Sequence, residues 1–349
     1  MNHIKSPFLK TLWGSDDAVA RKQISLLVAW AFFVSLLVWF PGGSLSPVET
    51  RLVHTVVSAQ GSIRQTRESL GTLAPSEIDP SGSGLIGVEW SPITTTMGSL
   101  ESKQLSVDPA WAPAFRRWYL DAGLSSGEKV TILSSGSFPG LALSAIAAAE
   151  SLDLDITLIA SLGSSTWGAN TISMPLSAIL RIIRENGFVR TTPSAYTLGG
   201  GGESGGGMAP EGITALLQSA SRDNIQILVA DSIEEMILKK GEIAFVPGTK
   251  LVVQIGGSQA DIGTNPAVLD LPPGLLFPYT EKNPGNGLIA SALRLGIPVL
   301  HIIDIPQLAK EVGIPGDLSN PRKRSPARII AAVATGAILL WKHQRWRLE

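Results

Sequence analysis

The apolar positions of this chain fall into two kinds of run. The first kind is unbroken. Residues 24–40, ISLLVAWAFFVSLLVWF, carry no charge, follow Arg21-Lys22 and end at Pro41-Gly42-Gly43. A spanning helix needs roughly 20 apolar residues, with a range of about 17–25. The pattern therefore predicts a membrane anchor, with Trp30 and Trp39 near an interface as in aromatic belts. A cleaved signal peptide and a buried core helix are the alternatives. The run is long for a signal peptide, and no small-residue cleavage site follows at once. Residues 329–341, IIAAVATGAILLW, form a shorter run between basic clusters. Runs of about 10–14 are more often interfacial or buried. Snorkelling Arg328 and Lys342 would let this one cross as a second membrane helix.

Between these runs the apolar residues are periodic. Val48, Leu52, Val56 and Val57 have helical spacing. Residues 72–97 are rich in Pro, Ser, Gly and Thr and predict a surface loop or linker. Asp108 and Pro109 suit a helix start, and Gly123 suits its end. From residue 129 short apolar runs alternate with longer Ala/Leu/Ile stretches. Strands are predicted at 130–133, 156–160, 225–230, 250–255 and 299–303. Helices are predicted at 140–152, 175–186, 211–220, 232–240 and 287–295, with Ser232 capping one of them. The glycine tract 199–207 predicts a flexible loop or lid. This alternation predicts an α/β fold, a mostly parallel sheet with helices on both faces. The expected organisation is a cytoplasmic tail (1–23), an anchor (24–40), a membrane-proximal helix and linker (41–107), the α/β domain (108–325), and a second membrane helix with a basic tail (326–349). Lys5, Lys10, Arg21 and Lys22 favour a cytoplasmic N-terminus and an extracytoplasmic main domain in the cell membrane. The basic cluster at 322–328 argues the other way.

Composition narrows the chemistry. Of 349 residues only 16% are charged and the net charge is -1. Globular proteins average about 25% charged. Nothing attracts nucleic acid in bulk, so no nucleic-acid partner is expected. The chain has no cysteine, which excludes disulfides, thiolate zinc sites and a thiol nucleophile. Of four histidines, His3 and His343 lie in the tails and His54 near the anchor. His301 lies in an apolar strand and is expected to pack there.

In open parallel sheets ligands sit beyond the carboxyl ends of the strands. After the first predicted strand come Ser134, Ser135, Gly136 and Ser137. After the second come Ser164, Ser165 and Asn170. After the fourth come Gly256, Gly257, Ser258 and Asp261, and Asn286 precedes the last helix. Such a rim can bind a carboxylate or phosphate through hydroxyls, loop N–H groups and helix N-termini. Turn chemistry alone would place the same residue types there. No dinucleotide fingerprint or P-loop is present. Gly202-Glu203-Ser204-Gly205-Gly206 matches a nucleophile elbow formally, but Ser204 lies inside polyglycine rather than between a strand and a helix. A triad of Ser204 or Ser135 with an Asp and His301 is conceivable. Asp231, Asp261 and Asp304 have oxygens that suit a cation, and capping serves Asp231 equally well. No metal site or cofactor is assigned.

The stretches LSSGSFPGLALSAIAAAESLDLDITLIASLGSSTWGAN, YTLGGGGESGGGMAPEG and QIGGSQADIGTNP resemble the bacterial poly-γ-glutamate system protein family over nearly the whole chain, anchor included. The resemblance implies an accessory protein beside the membrane machinery that makes and exports this capsule polymer. It implies the membrane, poly-γ-glutamate and the synthase or export subunits as partners, and it transfers no catalytic residue. Two rival expectations stand beside it. One is a hydrolase or transferase of γ-glutamyl chains, with Ser135 or Ser137 as nucleophile and Asp261 in support. The other is a purely structural subunit of the membrane complex.

Overall fold

The computed structural model describes residues 45–278 and 285–314, together with Trp30. The apolar runs 24–40 and 329–341 lie outside the continuous described segments. Among the described residues no helix is long and apolar enough to cross a membrane.

Helix α1 (Pro47–Ser69) begins at a capping box, with Ser46 Oγ accepting from the Glu49 N–H and Glu49 accepting from the Ser46 N–H. Such a cap satisfies two helix-end donors that otherwise have no partner. Leu52, Val56, Ala59 and Ile63 form its buried stripe. Strand β1 (Thr94–Thr96) and helices α2 (Leu100–Ser106) and α3 (Trp111–Asp121) follow. Strand β2 (Lys129–Ser135) then enters the middle of a six-stranded sheet. Helix α4 (Pro139–Glu150) leads to β3 (Asp155–Ser161), and the short pieces β4 (Ser164–Ser165), β5 (Asn170–Thr171) and β6 (Met174–Pro175) lead to α5 (Leu176–Glu185). Beyond β7 (Ala195–Thr197) come α6 (Pro210–Ser221), α7 (Ile233–Ala244) and β8 (Thr249–Ile255). The described chain closes with α8 (Gln259–Ile262), β9 (Gly274–Leu276), α9 (Leu288–Arg294), β10 (Val299–Ile302) and α10 (Ile305–Val312).

The sheet order is β7-β3-β2-β8-β10-β9. All neighbours are parallel except β9, which runs antiparallel to β10. The protein is therefore α/β with a mostly parallel sheet, as its strand–helix alternation predicts. Period-2 alternation divides the strand residues between two apolar clusters. Leu158, Leu251, Val253 and Leu300 belong to one, shared with α1, α3 and α4. Ile159, Val252 and Val299 belong to the other, shared with α7 and α9. This is the pattern of strands covered on both faces. Helix α4 is buried along nearly its whole length, which is why its Ala/Leu/Ile run shows no polar face.

Three local expectations need correction. Residues 225–230 form no ladder strand. Only Ile227 bridges Tyr196, through Tyr196 N–H to Gln226 and Leu228 N–H to Tyr196. Its partner β7 is an outer strand of three residues and offers little edge to pair with. The 72–97 segment is polar in composition yet buries Leu85, Ile86 and Ile93. Asp79 organises it by accepting from Ser81, Ser83 and the Gly84 N–H. The glycine tract is no loose lid. It folds back on itself through Gly199–Ser204 and Gly201–Gly206 bridges.

Chain order decides where a ligand would sit. From β2 the sheet grows through β3 to β7 on one side, then restarts at β8 on the other. That reversal opens a crevice beyond the carboxyl ends of β2 and β8.

Candidate functional site

A cavity of about 440 Å³ lies at this reversal. Ser135 and Ser161, the last residues of β2 and β3, contribute to its floor, as do Gly257 and Ser258 after β8. Ser165, Ser137 and Lys103 form one wall, and Gly199, Gly200 and Gly201 contribute to another.

The Ser137 wall is built from three segments. Pairing of β1 with β4 holds Ser165 in place. Its N–H donates to Ser137 Oγ at 3.0 Å. Thr166 Oγ1 accepts from the Gly98 N–H at 2.7 Å and donates to the Gly98 carbonyl. Trp167 then turns the chain with φ 65, a left-handed conformation that a bulky residue seldom adopts. Lys103 projects from α2 into this wall. Its Nζ donates to Ser165 Oγ at 2.8 Å and to the Ser137 carbonyl, and lies 3.7 Å from the Phe138 ring centroid. Lys103 is 2% exposed and has no carboxylate within ion-pair distance among the described residues. Burial alone lowers its pKa from 10.5 to about 7, because desolvation disfavours the ammonium form.

At the floor, Ser135 Oγ is buried and has no hydrogen-bond partner among the described residues. Three residues further on, α4 begins at Phe138 with no side-chain cap. An uncapped helix start presents N–H groups and the positive end of the helix dipole.

A second layer lies behind Ser161 and Ser258. Glu203, wholly buried, accepts from the Ala260 N–H and Lys240 at 3.0 Å each, from Ser161 Oγ at 2.9 Å, and from Ser258 and Thr197. Lys240 also bonds Asp261 at 2.7 Å and Ser258 Oγ at 3.0 Å. Burial opposes the Glu203 charge, but Lys240 and the Ser258 and Thr197 hydroxyls hold its pKa down to about 2. Burial pushes Asp261 up to about 6, with Lys240 offsetting part of the rise and Glu203 adding to it. Burial disfavours the Lys240 ammonium, yet the two carboxylates together hold its pKa above the ordinary value. The layer clasps the glycine tract to the sheet, and the Gly202 N–H adds a 2.6 Å bond to Gln259.

Of the rim residues the sequence singles out, Ser135, Ser137, Ser165, Gly257 and Ser258 meet at the cavity. The others do not line it. Ser134 and Ser164 turn their hydroxyls to their own neighbours' carbonyls. Gly136 packs against the carbonyls of Leu162 and Gly163. Asn170 is spent on Val88 and Thr94. Gly256 turns the chain at φ 86 behind Ser135. Asp261 sits in the second layer, and Asn286 bonds Thr264 elsewhere on the surface. Nor do the triad candidates assemble. Ser204 is exposed and bonds the Gly201 carbonyl. His301 is buried against Gln254 at 2.7 Å, with its pKa lowered to about 4 by burial. Asp304 caps α10. Among the described residues no cluster of His, Asp and Glu is arranged to hold a metal ion.

Sequence reasoning passes over Lys103, Ser161, Glu203 and Lys240. A faint signal exists for Lys240, which falls on the buried stripe of α7 with Met236, Ile237 and Ala244. A lysine in an apolar stripe requires a partner or a function. Neither a protein-family model nor a curated protein matches this chain.

Proposed function

We propose that this chain is a membrane-anchored accessory protein of poly-γ-glutamate synthesis or export, and that its α/β domain holds the γ-linked glutamyl chain in the cleft at the β2–β8 reversal. In this reading residues 24–40 anchor it in the cell membrane, residues 329–341 form a second membrane helix, and the main domain is extracytoplasmic. Its partners are the polymer and the synthase or export subunits.

The observation that carries the reading is Ser135. A buried hydroxyl without a partner costs free energy unless something else bonds it. Ser135 lines the cavity beside an uncapped helix start, and its Oγ packs toward Gly256 at the floor. Each unit of a γ-glutamyl chain presents a free α-carboxylate and an amide. The hydroxyl and the helix start suit the carboxylate, and the glycine turn leaves room for the chain beside them. With a net charge of -1, capture would rest on these local donors rather than on a long-range field.

The test is calorimetric titration of the full chain in detergent with γ-linked decaglutamate, and with α-linked decaglutamate as comparison. Saturable binding of the γ-linked chain, weaker for the α-linked one and weakened by Ser135→Ala, is expected. Absence of binding to the γ-linked chain would overturn the reading and favour a structural subunit.

A further inference from the structure

We infer that Ser165 is a nucleophile and Lys103 its general base, so that the cleft cleaves or transfers an amide-linked acyl group; the proposed function enters only in choosing γ-glutamyl amides as the substrate.

The two buried lysines differ in their surroundings. Lys240 meets two carboxylates and is held as an ammonium. Among the described residues Lys103 meets none, and its polar partners are a hydroxyl and a carbonyl. A buried ammonium without a counter-charge is costly, so the neutral amine is readily reached. That amine lies 2.8 Å from Ser165 Oγ, within proton-transfer reach. Both residues line the same cavity. The nucleophile is also held rigidly. Its N–H is bound by Ser137, its strand is paired with β1, and the next residue is hooked to Gly98.

Neutral Lys103 Nζ takes the Ser165 hydroxyl proton while Oγ forms a bond to the amide carbonyl carbon, and the carbonyl π pair moves onto oxygen. As that pair returns, the C–N bond breaks, and Lys103 gives its proton to the departing amine nitrogen. Ser165 is left as an ester. Water, deprotonated by the same amine, releases a carboxylic acid, whereas an incoming amine forms a new amide. No oxidant, reductant or metal is required.

The experiment uses the full chain in detergent with two probes, a fluorophosphonate and γ-linked decaglutamate. Expected are fluorophosphonate attachment at Ser165, shown by mass spectrometry of the peptide, loss of attachment in Ser165→Ala, and shortening or re-linking of the decamer. Lys103→Met and Lys103→Arg should slow both reactions by about 100-fold or more, the usual range for a general base. Thermal melting shows whether each variant remains folded. Attachment that persists in folded Ser165→Ala, or an unslowed folded Lys103→Met, would overturn the assignment. Should both Lys103 variants unfold, the labelled position in the unaltered chain decides. Saturable decamer binding with neither labelling nor turnover removes the dyad and leaves the binding function. Labelling at Ser165 without decamer binding does the reverse.

Discussion

Glu203 Oε1 lies 3.0 Å from Lys240 Nζ, so a carboxylate in the glycine-rich tract is clasped by an ammonium on α7. Both groups are buried, and Ser161 and Ser258 tie the pair to the cavity floor. Removing one partner of a buried pair costs about 3–5 kcal/mol, because the other charge is left unmatched. Glu203→Ala should therefore lower stability by that order in urea unfolding. It should also speed amide hydrogen exchange through residues 199–207. A wild-type unfolding midpoint together with unchanged exchange would show that the clasp does not hold the tract.

Lys103 makes stability depend on pH in a definite direction. The unfolded lysine has its ordinary pKa of 10.5, and the folded one lies at about 7. Between these values the unfolded chain binds a proton that the folded chain lacks. Stability therefore rises with pH across this window, by at most about 1.4 kcal/mol per unit from this group. Below pH 7 both states are protonated and the cost is constant. The stability difference between the unaltered chain and Lys103→Met should increase in favour of the unaltered chain from pH 7 to 10. Parallel stability curves for the two would refute this.

Ser135 separates a packing role from a binding role. Its hydroxyl has no partner among the described residues. Ser135→Ala should leave unfolding stability unchanged or raise it by about 1 kcal/mol, since no intramolecular bond is lost. Affinity for γ-linked decaglutamate should fall about 3–10-fold, the equivalent of one hydrogen bond. A marked loss of stability with unchanged affinity would assign the hydroxyl to the core instead.

Gly256 tests the shape of the same floor. It adopts φ 86, and a Cβ there would come within 2.3 Å of Ser135 Oγ. Gly248 adopts φ 91, but its nearest neighbour to such a Cβ is 3.8 Å away. Each change to alanine should cost about 1–2 kcal/mol from backbone strain alone. Only Gly256→Ala should also displace Ser135 and weaken decamer binding. Equal binding by the two variants would separate Ser135 from the ligand.

What could be read without the structure was local. The alternation of apolar residues places β2, β3, β8 and β10 within a few residues, because each strand's two faces meet two different cores. The Ser232 cap and the Gly187 helix end follow from backbone chemistry within one turn. The apolar runs 24–40 and 329–341 are likewise local patterns. What could not be read depends on pairing at long range. Strand β7 has three residues and no periodicity of its own, and helix α2 carries its buried lysine in an otherwise polar stretch. Ser165 lies 62 residues from Lys103, and Ser258 lies 55 from Glu203. Serines after parallel strands look alike in sequence whether they serve a turn or a ligand. The reversal of sheet growth at β2 selected Ser135 and Ser258 for the cleft, while β1 pairing brought Ser165 to Lys103. Sequence pattern thus determined the central strands, most of their helices and the fold class. Tertiary structure decided the site, because desolvation and proximity act between residues that the chain keeps far apart.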